Sequence, residues 1–267
     1  MIPLLWRSVS QARYLLLGCF VLLCGFQIVI IGQATEIERT QSFGRMAELL
    51  PGFLQRGLGS RAMLLVTFKG TVAFGYFHPV VCLLMAGVAI YLATEPAHEI
   101  ESGLVDLELA RSVPRHRLLT RSLLLMLASL VVAASLMAAG TWLGAALFGS
   151  GAFGLPAPGV RARLLLNLIA LAWCVGGFAL LVATLSRRWM TAFTTVILLT
   201  VVAYLIDFLA IGWRPMRLVA WLSPFHYYPA LSIVAGDAPT ASDLAVLLSA
   251  SVVFISLAYW QFHRRDL

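Results

Sequence analysis

"SLLLMLASLVVAASLMAAGTWLGAALF", residues 122–148, runs for 27 positions without one Asp, Glu, Lys, Arg or His. Crossing the hydrocarbon of a bilayer takes roughly 20 mainly apolar residues in a helix, so this stretch is long enough with turns to spare. Its apolar residues are continuous and do not alternate between two faces. That pattern excludes a barrel strand, and a helix satisfies its own backbone hydrogen bonds in lipid. Five more stretches meet the same length requirement: 14–33, 72–94, 164–185, 190–213 and 244–262.

Little chain is left for a soluble domain. Of the 267 residues 61% are hydrophobic and only 12% charged, against about a quarter charged in a soluble globular domain. The reading is an all-α membrane protein, one transmembrane domain over residues 1–267 with six transmembrane helices and an N-terminal interfacial helix at 1–13. Arg7 and Arg13 precede the first apolar run as they would in a secretion signal. At 20 residues that run exceeds the usual signal core of roughly 7–15, and no A-x-A site follows, so it reads as an uncleaved anchor. Cys19, Cys24, Cys82 and Cys174 all fall in apolar runs with no C-x-x-C pair, which reads as thiols used for packing. The net charge of +7, in so apolar a chain, points to lipid headgroups and not to nucleic acid.

An even number of spans puts both termini on one side. With the termini inside, ten basic residues fall inside and nine outside, so the positive-inside rule does not decide. Five of the outside charges lie in the connection 34–71, whose "RMAELLPGFLQRGL" (45–58) reads as a surface-lying amphipathic helix broken at Pro51 and Gly52. An interface-bound loop of that kind accommodates arginines outside, and the expected orientation keeps both termini in the cytoplasm.

The charge is concentrated in one place. Residues 95–121 hold five acids and four arginines. Pro96 is expected to separate this passage from span two, and Pro114 to end a helix of about three turns, "GLVDLELARSV" (103–113). On that helix Leu104, Leu107 and Ala110 share a side at i, i+3 spacing, with Val105 and Leu109 adjacent. Such a face can dock on a partner. Arg115, Arg117 and Arg121 then fall at the start of span three, where headgroups are expected to accept them.

The order Glu99, Glu101, Gly103, leucines, then "SVPRHRLL" (112–119) resembles the E-x-E-x-G … P-x-x-R passage of type-2 ATP-binding-cassette (ABC) permeases. "WLSPFHYYPAL" (221–231) is similar to that family's Pro-Phe passage before the last span. "FHRRDL" (262–267) and "IPLLWRSVSQAR" (2–13) resemble its basic ending and its N-terminal interfacial helix. Where the family often has a lysine after the arginine motif, this chain has Arg121, and its "GLVDLELA" is more acidic than the family's apolar run. The resemblance implies a coupling helix between spans two and three, seated in a groove of a separate ABC ATPase subunit, of which two copies serve the transporter. Glu99 and Glu101 would anchor or orient the turn, and Gly103 would permit its tight start. Leu104, Leu107 and Leu109 would fill the groove, and Pro114 with Arg115 belongs to the closing passage. It implies further an exporter in a bacterial cytoplasmic membrane, built with a second permease chain, as a homodimer or with a similar chain, and driven by ATP bound to the partner.

Lys69, the chain's one lysine, stands in "FKGT" with no glycine array before it. A P-loop is therefore missing, and the chain is read as a permease subunit without an ATPase site of its own and with no cofactor. Ionisable residues inside spans are costly and are functional candidates by default. His78 and Asp207 fall inside the apolar runs, and both are candidates for an outer gate or pathway. The five histidines fall on different sides of the membrane with no H-x-x-x-H pair, so no metal site is expected. Ser150 in "GSG" has no histidine in span six to serve as its base, which argues against a hydrolase. The stronger rival is an ion-driven secondary transporter or channel, which would show inverted repeats and midplane charges. Neither is visible. Gly140 and Gly144, at G-x-x-x-G spacing, suit close helix packing either within the bundle or between two copies.

Overall fold

A computed structural model describes residues 2–42, 60–103, 116–150, 154–186, 188–236 and 241–264. Among the described residues six helices are long and apolar enough to cross a membrane, and there is no strand. Span one lies in α1 (Ile2–Arg39). A short α2 (Ser60–Leu65) leads into span two, which is two helices, α3 (Phe68–Phe77) and α4 (Pro79–Glu101). Spans three, four and five are α5 (His116–Phe148), α6 (Pro158–Leu185) and α7 (Trp189–Gly212). After α8 (Arg214–Arg217) and α9 (Ala230–Ala235), span six is α10 (Ala241–Arg264). The surface helix expected around 45–58 lies outside the described residues.

Two expected boundaries are corrected. No separate interfacial helix covers 1–13: α1 runs unbroken from Ile2 to Arg39. Its one early helix breaker, Pro3, sits in the first turn, where a missing N–H is harmless. Nor does Pro96 end span two, because α4 continues through it to Glu101. Proline is tolerated inside membrane helices when neighbouring elements hold the backbone on both sides, and the residues after Pro96 are held by the contacts described below.

Span two and span four form the middle of the bundle. Along α4, Met85, Ala86, Val88, Ala89, Leu92 and Ala93 are buried, and α6 packs against them. α1 lies along α5, with Gly140 and Gly144 facing Cys24, Ile28 and Ile31, so both glycines serve packing inside the bundle. α7 is peripheral: only Ala192, Val196 and Thr200 are buried on it. The connector between spans five and six folds back into the bundle. Ser223 Oγ donates to the Ala203 carbonyl at 2.8 Å, and Tyr228 OH donates to the Leu164 carbonyl at 3.2 Å. Ala203 lies nine residues before the end of α7, so the connector returns over roughly 13 Å of helix.

Candidate functional site

The last turns of α4 carry Glu95 and Glu99 at i, i+4, on one face of the helix. Arg121 stands in the second turn of α5, pointing at that face, and is fully buried. Its Nη2 donates to Glu99 Oε2 at 2.5 Å and lies 3.9 Å from Glu95 Oε1. The expected headgroup position of Arg121 is overturned: α5 begins at His116, so residue 121 is already inside the packed part of the helix. A charge-assisted bond between buried groups is strong, and it also commits both partners, since losing either one takes from the other its shortest ionic contact.

Two positions further on, Glu101 Oε2 accepts the backbone N–H of Trp189 at 2.8 Å. Trp189 is the first residue of α7, and its N-cap, Arg188, makes no side-chain capping bond. The carboxylate of span two thus caps span five, where the helix dipole favours negative charge. The Trp189 indole N–H also donates to Thr94 Oγ1 at 3.2 Å, and its ring stacks on Phe193 at 5.3 Å. Thr120 Oγ1 and Tyr259 OH, 2.7 Å apart, join spans three and six at the same end. Gly103 ends α4 with φ +69, the left-handed conformation in which glycine carries no Cβ penalty. Spans two, three and five are therefore tied together where the chain leaves for the connecting segment. Leu104, Leu107, Leu109, Pro114 and Arg115 lie outside the described residues.

The opposite end holds the other candidates, apart from one another. His78 occupies the break in span two, with ψ 139, because the residue before a proline is pushed out of the helical region. Its Nδ1 accepts from the Val80 N–H at 3.3 Å, and its ring lies 4.9 Å from Phe26 and 5.0 Å from Phe74. Asp207 Oδ1 is 3.6 Å from Nδ1 of His226 on the returning connector. Nearby in the bundle, Tyr76 OH and Thr141 Oγ1 are hydrogen-bonded, and Arg161 lies over the Trp142 ring at 5.2 Å.

Sequence reasoning missed Arg121, Glu95 and Trp189 as members of the site. The i, i+4 spacing of Glu95 and Glu99 was the available signal, since two carboxylates on one helix face need a cation opposite. Residues 40–263 match the family described as "Multidrug efflux system permease Rv1217c, C-terminal domain". No curated protein and no solved structure matches the chain.

Proposed function

The chain belongs to that permease family, and on this premise we propose that it is the membrane subunit of an ABC exporter, driven by separate ATPase subunits. The Arg121 end then faces the cytoplasm of a bacterial cell, with both termini on that side. Two permease chains enclose the pathway, and two ATPase subunits hold the ATP. One observation supports the coupling step above others: the joint made by Glu99–Arg121 and Glu101–Trp189. The segment between Gly103 and His116 is the handle on which an ATPase acts. Its two ends are the ends of α4 and α5, so movement of the handle tilts spans two and three, and the Glu101 cap carries span five with them. This is hinge-type switching between packed arrangements.

Co-purification in mild detergent tests the reading. The wild-type chain is expected to bring an ABC ATPase with it, and a Glu101→Ala, Leu107→Asp double variant to lose it. If stable wild-type protein brings none, with ATP present and in several detergents, the ABC reading falls and an ion-driven transporter takes its place.

His78 and Asp207 are proposed to contribute to the outer gate. Their alanine variants are expected to lower transport while leaving the ATPase bound. Full transport at an unchanged ATPase rate in both variants would remove them from the gate.

A further inference from the structure

Among α1, α4 and α7, at the Arg121 end, lies a recess of about 160 Å³ lined by Ser8, Ala12, Tyr91, Glu95, His98 and Trp189. Its chemistry is lopsided. Glu95 reaches Arg121 only at 3.9 Å, and that guanidinium already donates at 2.5 Å to Glu99. The other oxygen of Glu95, Oε2, is buried and has no hydrogen-bond partner among the described residues. Ser8, 1% exposed, likewise has a buried Oγ with no such partner. A carboxylate oxygen held out of water and unpaired is costly, so the recess favours whatever neutralises it.

The walls are aromatic. Tyr91 and Trp189 stand nearly perpendicular, at 86°, with ring centroids 6.5 Å apart, and His98 lies 5.2 Å from Trp189. The bond to Thr94 and the stacking on Phe193 hold the indole in place. Tryptophan and tyrosine faces attract cations. An anion would meet Glu95, and a neutral apolar group would leave the Glu95 charge with only the Arg121 contact at 3.9 Å to balance it among the described residues. The volume is below the roughly 300–1,000 Å³ of pockets that hold drug-sized ligands, so the recess suits a small head and not a whole polycyclic molecule.

We infer that this recess binds the ammonium head of an alkylammonium ligand, with Glu95 as counter-ion and Tyr91 and Trp189 as its aromatic walls. This deepens the permease reading, on which its role in transport rests: cargo carrying an amine head would first engage here, between the spans that the ATPase is proposed to move. An amine headgroup of a bilayer lipid presents the same chemistry as an amphiphilic cation from solution.

The test is calorimetric titration of the purified permease in phosphatidylglycerol nanodiscs, with choline and with its uncharged carbon isostere, 3,3-dimethylbutanol. Choline is expected to bind at least about tenfold more tightly, the order of one desolvated cation–π and ion-pair contact. Equal affinities, or no binding of either, overturn the inference. Glu95→Gln is expected to abolish the preference, and retention of the full preference in a folded Glu95→Gln protein would overturn it too. If that variant does not fold, Tyr91→Leu takes its place and is expected to weaken choline alone. Repeating the titration in phosphatidylethanolamine nanodiscs separates the sources. A weaker apparent affinity there identifies the lipid amine as resident, and an unchanged one identifies a soluble cation. The titration needs no ATPase. Choline selectivity without ATPase co-purification would sink the ABC reading and keep the site, whereas co-purification without selectivity would sink the site alone.

Discussion

Arg121→Met is expected to destabilise the detergent-solubilised protein by about 3–5 kcal/mol, the loss typical when one partner of a buried ion pair is removed. Glu99 has a side chain only 3% exposed, and Arg121 is its charge-assisted donor. Water cannot replace that donor without opening the contact between α4 and α5. A thermal melt monitored by fluorescence-detected size exclusion reads the loss. Arg117→Met supplies the control, because Arg117 is exposed on the same helix, and exposed substitutions usually change stability by no more than about 0.5 kcal/mol. The informative variant is the double, Arg121→Met with Glu99→Leu. Removing both charges leaves no buried carboxylate at residue 99 to lose its guanidinium, so the double is expected to be more stable than the single. A double variant whose loss equals the sum of the two singles would show that the groups do not depend on each other, and the joint between spans two and three would have to be explained otherwise.

How far this cluster could be read beforehand depends on which of its parts are local. Glu99, Glu101 and Gly103 stand in a motif, and their order alone draws attention to them. Arg121 and Trp189 do not. Each lies at the margin of an apolar run, where a basic or aromatic residue ordinarily signals a headgroup, and only the approach of α5 and α7 to the end of α4 gives them different work. Glu95 was lost for a related reason. The apolar run stops at Thr94, which places Glu95 with the loop, whereas the helix continues and carries it round to the face of Glu99. A hydropathy criterion measures where a chain can contact lipid. It does not measure where the helix ends, because a helix whose polar turns are paired with protein keeps its backbone bonds beyond the lipid-compatible part.

The six spans were legible because in hydrocarbon no other single-segment structure satisfies the backbone. Their ends were less so, as the starts of α5 at His116 and α6 at Pro158 show, six residues ahead of the apolar runs. The two prolines of span two make the same point from opposite sides. Pro79 divides the span: His78 turns extended, and its own Nδ1 takes the Val80 N–H that the break sets free. Pro96 does not divide it, because Glu99 and Glu101 pin the following turn to α5 and α7. Proline removes one backbone bond in both places. Whether the helix stops is decided by what lies beside it, and a single residue type does not encode that.

Gly140→Val is expected to separate spans one and three. A Cβ at position 140 would lie 2.5 Å from the Cys24 carbonyl oxygen and 3.2 Å from Cys24 Cα. Both are backbone atoms of α1, so no rotamer change relieves the clash and the helices themselves must move apart. Overpacking of this kind typically costs about 1–3 kcal/mol and occasionally more, and the contact between α1 and α5 is the most extensive between helices among the described residues. The melting temperature in detergent is expected to fall clearly. Gly144→Ala, whose Cβ would meet Ile28 Cα and the Ile31 side chain at 3.2 Å, is expected to fall less. Gly25→Ala on α1, with nothing within 4 Å of its added carbon, is expected to cause no loss. The comparison also decides between the two uses a G-x-x-x-G pair can have in a membrane. If Gly140→Val kept the wild-type melting temperature and instead dissociated a dimer, the glycines would be packing between copies and α1 would have to lie elsewhere. A lower melting temperature with the oligomeric state unchanged assigns them to the seam between spans one and three.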